Sequence, residues 1–269
     1  MIYFTYYRGE EGFLMTELLK KTAWPMSVPK PYSLFHIVFC LSGIALAVLG
    51  ANYFARKYRH NPSRVVFVMF LCGIFLSLGE IYKQLFLYVV VNQGRFDWWY
   101  FPFQLCSTPM YLCLSLPVIK KYPSLRQTVC TYLRDFCLLG GVMALAEPSG
   151  LLHPYWVLTL HGLAWHIILI FLGLFCGLSG AAGHGIREYA KTLLLLGVFC
   201  LIAFGINIAT KGQADMFYIS PYYPVTQIFF NQISIRYGTA AGILLYLSAI
   251  CLGGYLFHRA MDMYEMHRR

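Results

Sequence analysis

Seven apolar runs follow one another along this chain, at about 33–54, 65–91, 101–119, 128–147, 155–178, 191–210 and 239–258. A hydrocarbon core about 30 Å thick takes about 20 residues of α-helix to cross. A spanning backbone must also satisfy its own hydrogen bonds, which leaves helices or closed barrels. Runs of this length predict an all-α polytopic membrane protein with seven transmembrane helices. The composition agrees, with 59% hydrophobic and 12% charged residues, where soluble domains carry about 45–50% and about 25%. A soluble globular domain is excluded. So is disorder, which requires low hydrophobicity and high charge.

The loops orient the bundle. Cations crowd the connections at Arg56, Lys57, Arg59 and Arg64, at Lys120, Lys121 and Arg126, and at Arg187 and Lys191, and again in the tail at Arg259, Arg268 and Arg269. The alternate connections hold Arg95, then none, then Lys211 and Arg236. By the positive-inside rule the N-terminus lies outside and the C-terminus in the cytoplasm. The excess of 21 Lys and Arg over 11 Asp and Glu is thereby assigned to topology and anionic headgroups, so no nucleic-acid partner is expected. Nine cysteines without zinc-type pairing predict neither a disulfide framework nor a metal site, and no cofactor is expected. No cleavable signal peptide is read in residues 1–30.

Three regions follow. Residues 1–32, with Phe13, Leu14, Leu18 and Leu19 beside Glu11, Glu17, Lys20 and Lys21, suit an amphipathic segment on the outer interface. Residues 33–258 form the transmembrane domain, and 259–269 a basic cytoplasmic tail. Within the domain, the outer loop 211–238 is rich in aromatic side chains, Tyr218 and Tyr222 among them, and is broken by Pro221 and Pro224. Such a length suits a lid. An aromatic belt at headgroup level is the alternative.

Ionisable side chains inside spans point to function, because their burial costs a few kcal/mol unless they are partnered. At about 1.5 Å per residue, Glu80 lies about 22 Å from the inner start of its helix and Asn207 about 24 Å from Lys191. Cys106 and His161 lie about 8 and 9 Å below their outer starts. All four therefore share one outer-leaflet layer. Glu80 and Lys83 share a helix face and pair as pocket residues or as a packing ion pair. Cys106 and Cys113 share a stripe two turns apart. His166 lies about 7.5 Å deeper than His161, so His161 is the better-placed base. Arg134 snorkels toward headgroups on this reading. A cysteine and a histidine at one depth support acyl transfer, with His161 taking the Cys106 proton and the thiolate attacking a lipid ester. Gln104 and Asn207, with His166, supply oxyanion or other polar support.

Three stretches carry a resemblance. Phe101-Pro102-Phe103-Gln104-Leu105-Cys106-Ser107 resembles the Leu-Pro-Leu-His-Leu-Cys motif of the YwaF-like integral membrane family, which includes animal transmembrane protein 164. Leu160-His161-Gly162 matches its His-Gly, and Asn207 with Tyr218 and Pro221 resembles its late Asn, Tyr, Pro pattern. The resemblance implies a phospholipid acyltransferase or transacylase acting on phospholipid and lysophospholipid, with Cys106 as nucleophile and His161 as base. Gln104 stands where the family motif has histidine. It keeps a donor and an acceptor but cannot shuttle a proton. A bacterial plasma membrane is the expected location, and the sequence carries no signal for oligomeric state. The alternative class is a lipid or small-molecule transporter or flippase with Glu80, Lys83 and Asn207 along a polar pathway. Against it, no matched pair of interrupted helices signals inverted repeats. A non-catalytic sensor is a third class.

Overall fold

A computed structural model of the chain describes residues 10–267, and their regular structure is helical throughout. The helices are α1 (Glu10–Lys21), α2 (Leu34–Tyr58), α3 (Pro62–Phe86), α4 (Thr108–Ile119), α5 (Pro123–Ala146), α6 (Trp156–Leu178), α7 (Ile186–Ala209), α8 (Ile228–Tyr237) and α9 (Thr239–His267). Six of them (α2, α3, α5, α6, α7 and α9) are long and apolar enough to cross a membrane. Leucines such as Leu34, Leu46, Leu194 and Leu201 are at least 70% exposed on these helices, which only a lipid solvent tolerates over such an area. The protein is an integral membrane protein.

α5 and α6 form the centre. A Cβ at Gly141 would meet the His166 carbonyl at 2.9 Å, and one at Gly173 would meet the Arg134 carbonyl at 3.0 Å. Small residues at these crossings let the two backbones touch, which replaces hydrophobic drive as the packing force in lipid. α2 lies on α6, α3 on α4, and α9 on α5. At the end carrying α1, Leu19 is buried with Phe86, Leu87 and Leu158, while Leu14 and Leu18 point outward. Residues 24–26 pair with 154–156 through Met26 N to Pro154 O at 3.0 Å and Trp156 N to Trp24 O at 3.1 Å. The N-terminal segment is therefore docked on the bundle. Residues 1–9 of that segment, with Arg268 and Arg269, lie outside the described residues, as do the side chains of Glu11 and Phe13.

Three expectations are revised. The run at 101–119 does not make a full span. Residues 101–104 are irregular, a single 3₁₀ turn covers Leu105–Ser107, and α4 proper starts at Thr108 and ends at Ile119. Pro109 in the first turn and the absence of spare length before Pro123 fix both limits. The loop 211–238 is partly helical, because α8 occupies its second half. Residues 259–267 are no tail. They continue α9, with Met261, Asp262 and Glu265 buried against the bundle.

Candidate functional site

Near the α1 end, α3, α6 and the segment before α4 converge. Gly79 of α3 faces His161, so that an added Cβ would stand 3.7 Å from its Nε2. One turn deeper on α6, the Trp165 indole lies tilted with its ring 5.3 Å from that of His161 and donates to the Cys106 carbonyl at 2.9 Å. That bond ties the cysteine segment to the histidine helix. His161 Nε2 is buried without a hydrogen-bond partner, one of two such imidazole nitrogens among the described residues beside His36 Nε2. A buried polar atom left bare costs about 1–3 kcal/mol, and in folded proteins such atoms are few.

Charge is supplied from α3. Lys83 Nζ lies 2.8 Å from Glu80 Oε1, with Glu80 buried and Lys83 partly open. Gln84 donates to the same Glu80 oxygen at 2.8 Å and to the Tyr100 carbonyl at 2.5 Å. Lys83 acts electrostatically on Cys106, His161 and His153. His153, in the loop before α6, lies with its ring 6.3 Å from Tyr100. Burial pushes its imidazole below the usual value, with Lys83 adding to the effect. The sequence offers no depth for a loop histidine, so His153 is absent from the expected set.

The expected amides have definite partners. Gln104 Nε2 donates to the Asp215 carbonyl at 2.8 Å, and its Oε1 accepts from Phe217 N at 2.8 Å. Asn207 Nδ2 donates to the Met216 carbonyl at 3.0 Å, and its Oδ1 accepts from Met216 N at 2.7 Å. The irregular segment before α4 and helix α7 thus hold one loop turn by its backbone. The turn needs holding, because Phe217 and Tyr218 both adopt positive φ, at 58° and 56°, which is unfavourable for aromatic residues. Phe217 is buried, with its ring 6.1 Å from Phe103. Tyr218 stacks edge-on with Tyr246 and lies within electrostatic reach of Cys106. Burial pushes its phenol up to about 12. Tyr222 is half exposed and packs beside Gly212, away from this group.

Two other candidates stay apart. His166 lies buried with Nδ1 2.7 Å from the Gly162 carbonyl on its own helix. Cys113 is enclosed within α4, with its Cβ 2.9 Å from where a Cβ on Gly73 would be, so it is a packing residue, whereas Cys106 lies in the 3₁₀ turn that precedes the helix.

A second polar group sits at the other end of α6 and α7. Arg134 is fully buried and does not snorkel. Its Nε donates to Asp135 Oδ1 at 2.8 Å and its Nη1 to Asp262 Oδ1 at 3.2 Å. Glu265 lies 3.8 Å away, and His258 Nδ1 lies 2.5 Å from Arg134 Nη2 and 2.8 Å from Asp135 Oδ2. Gly185 N and His184 Nδ1 close the group on Asp262, each at 2.9 Å.

The TMEM164 family matches the chain over residues 31–252, which includes every residue of the first group. No curated protein and no solved structure matches it.

Proposed function

The chain belongs to the TMEM164 family, and on that premise we propose that it is a membrane-embedded phospholipid acyltransferase working through Cys106. The observation that carries this reading is the bare, buried Nε2 of His161 beside the segment that holds Cys106. A general base keeps one nitrogen uncommitted for the proton it takes. In the first half-reaction, His161 Nε2 accepts the thiol proton and Cys106 Sγ bonds to the ester carbonyl carbon of a donor phospholipid. The ester C–O bond breaks, the imidazolium returns the proton to the departing glycerol oxygen, and a thioester remains. In the second, a lysophospholipid hydroxyl gives its proton to His161 and attacks the thioester, and Cys106 leaves as the thiol. Lys83, partly open beside the pair, attracts the lipid phosphate. Gln104 and Asn207 give polar support by holding the 215–217 turn over the site, and the turn excludes water that would hydrolyse the thioester.

Incubation of the purified protein with a defined phospholipid should add one acyl mass to Cys106. His161→Ala should slow that acylation by about 10²–10⁴-fold, as loss of a general base does, and His166→Ala should leave it within a few fold. Loss confined to the His166 variant reverses the assignment. An unmodified Cys106 in wild-type protein, with lipid still moved between leaflets, supports a flippase using the Glu80–Lys83 pair instead. The proposed orientation places this site in the outer leaflet. A cysteine engineered near position 10 should then label from outside intact cells, and labelling from inside alone inverts the topology.

A further inference from the structure

A groove at the α2–α3 turn belongs to neither polar group. Its volume is about 640 Å³, and it is lined by Tyr58, Arg64, Leu71 and Phe75, with Ile168 and Phe171 of α6 as its floor. That volume falls within the range of small-molecule sites, about 300–1,000 Å³. Along α3 the lining residues recur every three or four positions, so they form one face. The face changes character with depth. Arg64 stands in the first turn of α3, at the membrane boundary, and Phe75 lies about 16 Å further in. Half of a hydrocarbon core about 30 Å thick is the same length. The groove is thus cationic at its mouth and apolar for the depth of one leaflet.

Among the described residues, the lining helices bring no carboxylate to the mouth. No Asp or Glu occurs between Glu17 and Glu80, and none occurs in α6. On the three lining helices the sole carboxylate is Glu80, which is bound to Lys83 about 24 Å along α3 from Arg64. Arg56, Lys57 and Arg59 add further positive charge to the same turn. A guanidinium there pairs best with an anion that offers two oxygens side by side to its fork of N–H donors, and a lipid phosphate supplies them at the membrane boundary. We propose that the groove binds one anionic glycerophospholipid, with its phosphate on Arg64 and one acyl chain lying along Leu71 toward Phe75. The site is separate from Cys106 and does not depend on catalysis.

The test uses the full chain in phosphatidylcholine nanodiscs containing a trace of phosphatidylglycerol with a diazirine midway along one chain. Phosphatidylcholine carrying the same label serves as the matched probe. Mass spectrometry of crosslinked peptides should place the anionic probe on residues 64–75 and 168–171, about fivefold over the zwitterionic one, as one basic contact provides. Arg64→Ala should erase that preference and Arg64→Lys should keep most of it. Leu71→Trp, at a lipid-exposed position, should block labelling by both probes. Equal labelling by the two probes in the wild type would overturn the proposal. So would a preference that survives in Arg64→Ala, or displacement of the anionic probe by inorganic phosphate alone.

Discussion

The two buried polar groups differ in how their hydrogen bonds are spent. Around Arg134 the guanidinium meets Asp135, Asp262 and His258, and backbone groups at Gly185 close the set. Around Cys106 the amides and Glu80 are engaged, yet His161 keeps a bare nitrogen facing Gly79. Burying polar groups is costly in both places; the charges are paired in each, but His161 Nε2 in the group around Cys106 is left without a bond. Arg134 ties α5, α9 and the α6–α7 connection together. His161 Nε2 has no hydrogen-bond partner among the described residues. An ionisable side chain in a span therefore marks function only after its partners have been counted.

That comparison can be broken first at Arg134. Arg134→Ala leaves three carboxylates crowded without their cation, and removal of one member of a buried pair costs about 3–5 kcal/mol. Thermal unfolding in detergent should show this as a large fall in Tm, with partial recovery in Arg134→Lys. A Tm within a degree or two of wild type would mean that the cluster does not carry the fold. The same substitution logic predicts little loss of stability for His161→Ala, because that ring has no Nε2 bond to lose.

A smaller effect is expected at the loop clamp. Asn207→Ala strands the N–H and C=O of Met216 in a fully buried place, at about 1–3 kcal/mol. Gln104→Ala, in a more open position, should cost less. Limited proteolysis within 211–227 is the sensitive reading, since the clamp holds a turn already strained at Phe217 and Tyr218. Unchanged cleavage in both variants would show that packing of Phe217 alone fixes the turn.

The smallest effect concerns pH. Burial raises the Asp215 carboxyl to about 6, opposed in part by the bond from Ser220 N. Its ionised form is disfavoured in the fold, so its contribution is fullest below the usual carboxylate range and is lost as pH rises through about 6. Stability should therefore fall between about pH 4 and pH 6, by no more than about 1 kcal/mol after allowance for partial solvation, and Tm should drift downward over that range. Asp215→Asn should flatten that drift. A slope preserved in the variant assigns the titration elsewhere.

The helical class and the spans were legible because lipid reads hydropathy one segment at a time. The depth expected for Cys106 rests on a helical rise that its segment does not have, because Cys106 sits in the 3₁₀ turn before α4; the tie to the His161 helix is instead the Trp165 bond to the Cys106 carbonyl. Side-chain partners were not legible. Nothing near Arg134 in sequence announces Asp262 and Glu265, which arrive 128 and 131 positions later on the far end of α9. Snorkelling was the available inference for a cation with no visible partner. Gln104 and Asn207 bond to the backbone of a loop, and a backbone partner leaves no residue-type signal. The true start of α4 was hidden for a similar reason, since residues 101–107 are as apolar as a helix and only their irregular turns separate them from one.

The brevity of α4 reaches beyond the protein. With its leading turn it covers Leu105–Ile119, about 22 Å at the α-helical rise, against about 30 Å of hydrocarbon. The bilayer along that flank is too thick for the surface it touches by about 8 Å, and hydrophobic mismatch is relieved by lipid chains splaying and the leaflet dimpling there. A dimple lowers headgroups toward the level of the segment that precedes α4. Thinner membranes would hold this protein at less elastic strain than thick, sterol-rich ones, and thickness becomes a term in where the chain resides.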